Sequence, residues 1–405
     1  MKRNNQRYGA AAGIAVAAML GLAACGGSSS GGTPSAGSSS TPSSGNVPDV
    51  SASSLTPDFS AMAQLKDLAS SGKGKIGVLL PDTVTSARYV EFDAPLLTKA
   101  FEAAGLTSSD FSVQNAHGDN ATQVSQAQAD VTNGASVLIV DPLTSGVGAQ
   151  IEKYGKQHGV AVIDYDRLTL GGQRTYYISF DNVKVGELIG QGFADCATAW
   201  GVKSPKIIEM KGDPTDNNAT LFAQGYESVI KQHSDWTVVA KPAGTWDPPT
   251  ALNEFTQAFT ANSSANGAII PNDANDAPII SYLKNHGVKP KTFPTTGQDA
   301  SSVGLQNVLA GYQCGTVYKP IYLEAQASAA VAIYVRAGKT PPDDLVNGKT
   351  PDTQSNVDVP SVLLTPLWVT PDNMADTVIK DGAVKASDIC TAALKSACKA
   401  AGING

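Results

Sequence analysis

From Lys75 onward the chain alternates between two hydrophobic periods. Strand-like runs occur at Lys75–Leu80, Phe111–Ala116, Ser136–Asp141, Ala161–Asp166 and Tyr176–Phe180. Between the first four lie stretches with helical spacing, at Ser86–Ala104, Gln123–Val131 and Gly148–Gln157. In the first of these, Tyr89, Phe92, Leu96, Leu97, Ala100 and Phe101 recur at i, i+3, i+4 intervals. Strands that alternate with helices at this spacing predict a parallel sheet with right-handed crossovers.

The alternation then starts afresh. A long amphipathic helix is predicted over Lys184–Trp200, followed by strands at Lys206–Lys211, Thr237–Lys241, Gly267–Asn272 and Phe293–Gly297. Helical patterns separate them at Ala219–Gln232, Ala251–Thr260, Pro278–Asn285 and Ser302–Ala310. No close sequence repeat accompanies this second copy, so the duplication is architectural. A helix over Tyr322–Arg336, a Pro/Asp/Asn-rich loop over Pro341–Asp358, a strand over Val362–Val369 and two short helices complete the pattern. The fold class is α/β: two lobes with parallel sheets, joined by a three-crossing hinge at Phe180–Asn182, Thr316–Pro320 and a loop near Asp358. The lobes are expected to comprise residues 75–182 plus 317–357 and residues 183–316 plus 358–405.

The first residues follow other rules. Lys2, Arg3 and Arg7 precede an apolar stretch from Gly9 to Ala24, which ends Leu22-Ala23-Ala24-Cys25-Gly26. A basic start, an apolar middle and small residues before a cut describe an export signal. The cysteine at the cut resembles the lipobox of bacterial lipoproteins, where it receives lipid and becomes the first mature residue. Residues 1–25 are therefore expected to be a lipoprotein signal ending at lipid-modified Cys25. An ordinary signal peptide or a membrane helix is the competing reading, but the stretch is short of the ~20 apolar residues a span requires. Residues 26–74 read as a flexible tether, being almost pure Gly, Ser, Thr and Pro up to Gly45.

Charge and cysteine usage narrow the function. The formal charge is -7, and removal of the three basic signal residues takes it to -10. An acidic chain with no basic run is a poor partner for nucleic acid. Besides Cys25 there are four cysteines, an even number in an exported protein, so disulfides are expected. Four allow three pairings; buried free thiols are the alternative. Cys390–Cys398 is favoured as a local staple, and Cys196–Cys314 because both lie in the second lobe near a crossing. No CxxC occurs and no His lies near a cysteine, so no metal is expected. His158, His233 and His286 sit in helix-end turns, and no GxSxG, HExxH or Walker pattern is present. Neither an enzyme nor a cofactor is indicated.

Polar clusters stand at the ends of the strand-like runs: Tyr165-Asp166-Arg167, Ile178-Ser179-Phe180-Asp181-Asn182, Gly297-Gln298-Asp299-Ala300 and Val317-Tyr318-Lys319-Pro320. Open α/β sheets place ligand contacts there. Asp and Asn accept hydrogen bonds, Arg, Lys and Asn donate them, and a sugar hydroxyl needs both. The set suits grip without reaction on a small polyhydroxylated molecule.

These clusters, with Lys75-Ile76-Gly77-Val78, Ala87-Arg88-Tyr89, Lys184-Val185-Gly186-Glu187, Gly212-Asp213-Pro214-Thr215-Asp216-Asn217-Asn218-Ala219 and Asn272-Asp273-Ala274, resemble the sugar-binding proteins of bacterial ABC importers. The resemblance is to the ribose/xylose type, with the D-xylose-binding members nearest, and it spans about Lys75 to Cys390. It implies the type I periplasmic binding protein fold, two Rossmann-like lobes closing over one pyranose. It implies that Arg88, Asp166 and Arg167 contribute from the first lobe, and Asn217 or Asn218, Trp246, Asn272 and Asp299 from the second. Lys319 would reach in from the hinge. Tyr89 stands where the family commonly has Trp covering a sugar face, which bears on the ligand's identity. The implied partners are a monosaccharide, D-xylose or a related aldose, and the subunits of an ABC permease. The implied setting is a monomer on the outer face of the cell membrane, or in the periplasm, held by lipid on Cys25. The same closed form also suits a membrane sensor. A glycosidase built on Asp166 and Asp299 is disfavoured, because neighbouring cations depress a carboxyl that must stay protonated.

Overall fold

The computed structural model describes residues 48–86 and 88–403. Two short helices, α1 (Ser60–Ala63) and α2 (Lys66–Ser71), precede β1 (Lys75–Leu80). A π-helical turn at Tyr89–Asp93 then runs into α3 (Ala94–Ala103). The first lobe continues through β2 (Phe111–Asn115), α4 (Asn120–Thr132), β3 (Ala135–Val140), α5 (Ser145–Gln157), β4 (Ala161–Tyr165) and β5 (Tyr176–Phe180). The second lobe holds α6 (Asn182–Ala199), β6 (Lys206–Glu209), α7 (Asn217–Ile230), β7 (Thr237–Ala240), α8 (Pro248–Ala261), β8 (Gly267–Ile269), α9 (Asp273–Asn285), β9 (Gly297–Gln298), α10 (Ser302–Leu309) and β10 (Thr316–Tyr318). The chain ends with α11 (Ile321–Arg336), β11 (Gly348–Asp352), β12 (Val357–Leu364), β13 (Leu367–Val369), α12 (Ala386–Ile389) and α13 (Lys395–Ala400).

The first lobe is built on a seven-stranded sheet, β11-β12-β5-β4-β3-β1-β2. Its central strands are parallel and apolar on both sides, as buried parallel strands must be. Alternate residues of β1 feed two separate cores. Ile76, Val78 and Leu80 pack with α3 and α11, while Leu79 packs with α4 and α5. The second lobe carries two three-stranded sheets, β7-β6-β8 and β13-β10-β9, bridged by the bond from Ala268 N–H to Pro294 O at 3.0 Å. Asp119, Thr144, Asp181, Asp216, Asp247, Asn272 and Ser301 each cap the helix that follows.

The chain changes lobe between β5 and α6 and between β10 and α11, where the sequence places the first two crossings. The third differs. Residues 358–364 belong to the first lobe, because β12 pairs in parallel with β5. The crossing falls at Thr365-Pro366, so the single strand expected over Val362–Val369 is two strands in two lobes. Proline has no N–H to give a ladder and biases its predecessor's backbone, which separates the two. The expected loop over 341–358 also contains β11, antiparallel to β12 at the sheet's edge. Its Lys349 and Pro351 suit an edge strand and hide it from pattern reading.

The expected tether does not extend to residue 74. Residues 26–47, the signal and Cys25 lie outside the described residues, but residues 48–74 are packed structure rather than tether. Val50, Leu55, Phe59, Met62 and Leu65 are buried in the core of the first lobe with α3 and α11. Gln326 Nε2 donates to Thr56 O at 3.0 Å, and Tyr334 O–H to Pro48 O. The Gly/Ser-rich composition ends at Gly45, and beyond it the chain has enough apolar side chains to cover the outer face of α11. Both expected disulfides are formed: Cys196–Cys314 with Cα atoms 5.6 Å apart, and Cys390–Cys398 at 5.9 Å.

Candidate ligand-binding site between the lobes

Asp166, Arg167, Asn272, Asp299 and Lys319 lie just beyond the C-terminal end of a strand; Arg88, Tyr89, Asn217, Asn218 and Trp246 follow one after a longer loop. Nine of the ten line one cavity between the lobes: Arg88, Tyr89, Asp166, Arg167, Asn218, Trp246, Asn272, Asp299 and Lys319. The space measures about 330 Å³ with its open side included. Asn217 is the exception. It is buried as the first residue of α7, but a helix turns about 100° per residue and carries it away from the cavity that Asn218 faces. Thr85, Ser86, Asp216, Phe222 and Gln298 also line the space and were not singled out by sequence. Asp216 and Gln298 stand inside motifs that were. Phe222 lies four residues from Asn218, on a face that reads as core.

Arg88 organises the first-lobe side. Its Nη1 donates to Asp166 Oδ1 at 2.8 Å, and its Nε and Nη2 grip Asp93 at 2.9 and 2.7 Å. Nη2 also donates to Glu324 Oε2 at 2.6 Å. The π turn explains the Asp93 contact: Ala94 N–H bonds Tyr89 O, and this wider winding sets residue i+5 above residue i. Burial pushes the Asp166 carboxyl up, but Arg88, Lys319 and Arg167 outweigh it and hold it well below the ordinary range. Glu324, with burial dominant, is pushed up to about 8.

Arg167 reaches the other lobe. Its Nη2 donates to Tyr89 Oη at 2.9 Å, and its Nε lies 3.3 Å from Asp216 Oδ2. Asn218 Nδ2 donates to Asp166 O at 3.0 Å, and Ser86 Oγ to Asp299 Oδ2 at 3.1 Å. The lobes are thus closed on each other through bonds that span the cavity. Lys319 Nζ, at the second crossing, lies 3.5 Å from Asp166 and 3.8 Å from Asp299. Asp166, Asp299 and Ala300 have φ of 58°, 97° and 50°, a conformation costing about 1–3 kcal/mol per residue that concentrates at functional sites.

Trp246 is held in place from two sides. Its Nε1 donates to Asp216 Oδ2 at 3.0 Å, and its ring lies on Gly212, where an added Cβ would come within 2.2 Å of the indole. Gly212→Ala is therefore expected to displace the indole, destabilise the lobe by about 1–3 kcal/mol and weaken any ligand that the ring covers. Urea unfolding and tryptophan fluorescence check this; unchanged fluorescence would show that the ring does not depend on this seat.

Asp273 fixes Asn272 against Asp299. Its carboxylate accepts from Ser301 N at 2.8 Å and Gln313 Nε2 at 2.7 Å, and it sits on Gly297, whose hypothetical Cβ would lie 2.0 Å from Asp273 Oδ1. Burial, with Asp299 nearby, pushes it up to about 7. A carboxyl whose folded pKa is raised contributes stability in acid that is lost as pH rises towards that value. Asn in its place stays neutral, and Gln313 can rotate to present its unpaired Oε1. The stability of Asp273→Asn relative to wild type is expected to grow by up to about 2 kcal/mol between pH 5 and 7. Urea midpoints at both pH values decide it, and a constant difference would contradict the burial argument.

Residues 76–340 match the model of the periplasmic binding protein domain. The chain belongs to the periplasmic binding protein family. Among the relatives of this binding protein is the D-xylose-binding periplasmic protein of Escherichia coli (strain K12), 36% identical over 323 residues that cover 78% of this chain and 92% of that protein. The multiple sugar-binding periplasmic receptor ChvE of Rhizobium radiobacter is 30% identical over 335 residues, 78% of this chain and 92% of the receptor. A carbohydrate transporter solute binding protein from Chloroflexus aurantiacus, solved in complex with D-glucose, superposes with a TM-score of 0.68 at 25% identity, covering 77% of this chain and 97% of that one. The fold is therefore the type I periplasmic binding protein fold expected from sequence. The relatives named here are binding proteins and not enzymes.

Proposed function

We propose that this periplasmic binding protein captures a monosaccharide between its lobes, D-xylose or a related aldose, and delivers it to an ABC importer. The observation that supports this most is the convergence of nine predicted residues on one cavity. Asp166, Asp299, Asn218 and Asn272 offer acceptors, and Arg88, Arg167 and Lys319 offer donors, so each hydroxyl of a ring can be paired. Tyr89 and Trp246 line the same space from opposite lobes and would cover the ring's C–H faces. Charge-assisted bonds of this kind contribute about 1.5–3 kcal/mol each. Closure is the transduction step: ligand contacts from both lobes stabilise the closed form, whose surface the permease then recognises.

Titration calorimetry against a panel of pentoses and hexoses tests the ligand class. Submicromolar to micromolar binding of at least one aldose is expected; failure of all of them at about 1 mM would overturn the reading. Lipid attachment at Cys25 and a monomeric state are part of the same proposal. Cys25→Ala should release the protein from the membrane fraction and abolish incorporation of labelled fatty acid. A sensor partner is the second reading, favoured by the likeness to a relative named as a receptor. Loss of sugar uptake on deletion, with sugar-dependent gene expression intact, would separate transport from sensing.

A further inference from the structure

A second, larger space adjoins the candidate sugar site. It measures about 1070 Å³ including its open side, and Arg88, Asp299 and Lys319 line both spaces. At most one layer of side chains therefore separates them. That layer is loosest between Lys319 and Asp299, whose 3.8 Å separation is beyond hydrogen-bonding distance. The outer chamber differs in chemistry from the inner one. Phe59, Phe92, Leu96, Ile321, Tyr322 and Ala383 give it an aromatic and aliphatic wall. Of its own charged groups, Lys99 Nζ lies 4.1 Å above the Phe59 ring and Asp381 Oδ2 accepts from Tyr318 O–H at 3.3 Å, while Glu91 is exposed to solvent at the chamber's edge.

We infer that this chamber is a subsite for an apolar group attached to the sugar, so that the protein takes O-glycosides with an aryl or alkyl aglycone as well as the free sugar. The inference rests on the sugar-binding reading. A polar inner space pairs hydroxyls, and an outer space with an aromatic and aliphatic wall, whose one unpartnered charge among the described residues, Glu91, is exposed to solvent, favours a neutral hydrophobic substituent. The chamber also belongs to the closed form. Phe92 and Leu96 come from the first lobe, Ala383 from the second and Tyr322 from beside the hinge, so an aglycone seated there adds contacts that only closure provides. The packed segment before β1 contributes Phe59 at its apex, where φ is 63°.

The test is calorimetry on the full-length mature protein with D-xylose, D-glucose, and the methyl and phenyl pyranosides of each in both anomers. At least one phenyl glycoside is expected to bind about tenfold or more tightly than its methyl counterpart. Phe92→Ala should erase that advantage. Ala383→Trp, which fills the chamber from the other lobe without removing a core group, should do the same, and both should leave free-sugar binding little changed. If free sugar binds but no phenyl glycoside gains over its methyl counterpart, this inference alone falls. If the gain survives both variants, the aglycone lies elsewhere and the inference falls again. If neither sugars nor glycosides bind, the sugar-binding reading falls with it.

Discussion

Replacing Arg88 with methionine is expected to destabilise the protein by about 3–5 kcal/mol, the cost of stranding buried charge by removing its partner. Arg88 is 3% exposed and serves three carboxylates at once, those of Asp93, Asp166 and Glu324. Methionine fills much of the same volume, so a cavity is not the main effect. The guanidinium's loss leaves Asp93 with the Tyr165 hydroxyl and Glu324 with nothing, while Asp166 retains only Lys319 at 3.5 Å. Arg88 holds down the proton affinity of the Asp166 and Glu324 carboxyls, so its removal lifts it. The deficit should therefore shrink as pH falls and the stranded groups are neutralised, a direction opposite to that of a simple packing defect. Urea unfolding at pH 5 and pH 8 reads both quantities. A deficit below about 1 kcal/mol would mean that the cluster behaves like a solvated surface pair. Sugar affinity should fall as well, because Asp166 loses the bond that orients it towards the cavity.

The two disulfides should differ in their effects by about a factor of two. Loop-closure entropy for a separation of 118 residues, as in Cys196–Cys314, corresponds to about 5 kcal/mol, against about 2.5 kcal/mol for the separation of 8 in Cys390–Cys398. Cys196 lies in α6 and Cys314 two residues before β10, so the long link ties the element that follows the first crossing to the one that precedes the second. Serine at both positions is expected to lower the urea midpoint far more than the same change at Cys390 and Cys398. It should also loosen the second lobe near the hinge. Equal midpoints for the two double variants would refute the chain-entropy account. Hydrogen exchange along α6 and β10 locates the loosening.

The candidate site was legible because its residues follow strands. Asp166, Asn272, Asp299 and Lys319 each follow the end of a strand, and the fold delivers such ends to one place. Asp216 was harder to find for a physical reason. An aspartate before a helix signals an N-cap, and here it is one, accepting from Asn218 N at 2.9 Å. It also binds Trp246 and faces Arg167, and those partners are 30 and 49 residues away in the chain. Asp93 and Glu324 were missed on the same grounds: each looks like a solvated helix carboxylate until Arg88 is brought against it.

The amino-acid sequence determined the alternation of strands and helices, the duplication into two lobes, the first two crossings and the strand ends that hold the polar groups. These are short-range properties, written in hydrophobic period and in residues that stop a strand. Tertiary structure alone decided that residues 48–74 pack on α11, that β12 pairs with β5 before the chain crosses at Pro366, and that Asn218 rather than Asn217 faces the cavity. In each case the deciding free energy is a contact between segments far apart in the chain, and no local pattern encodes which distant surface will be there to meet it.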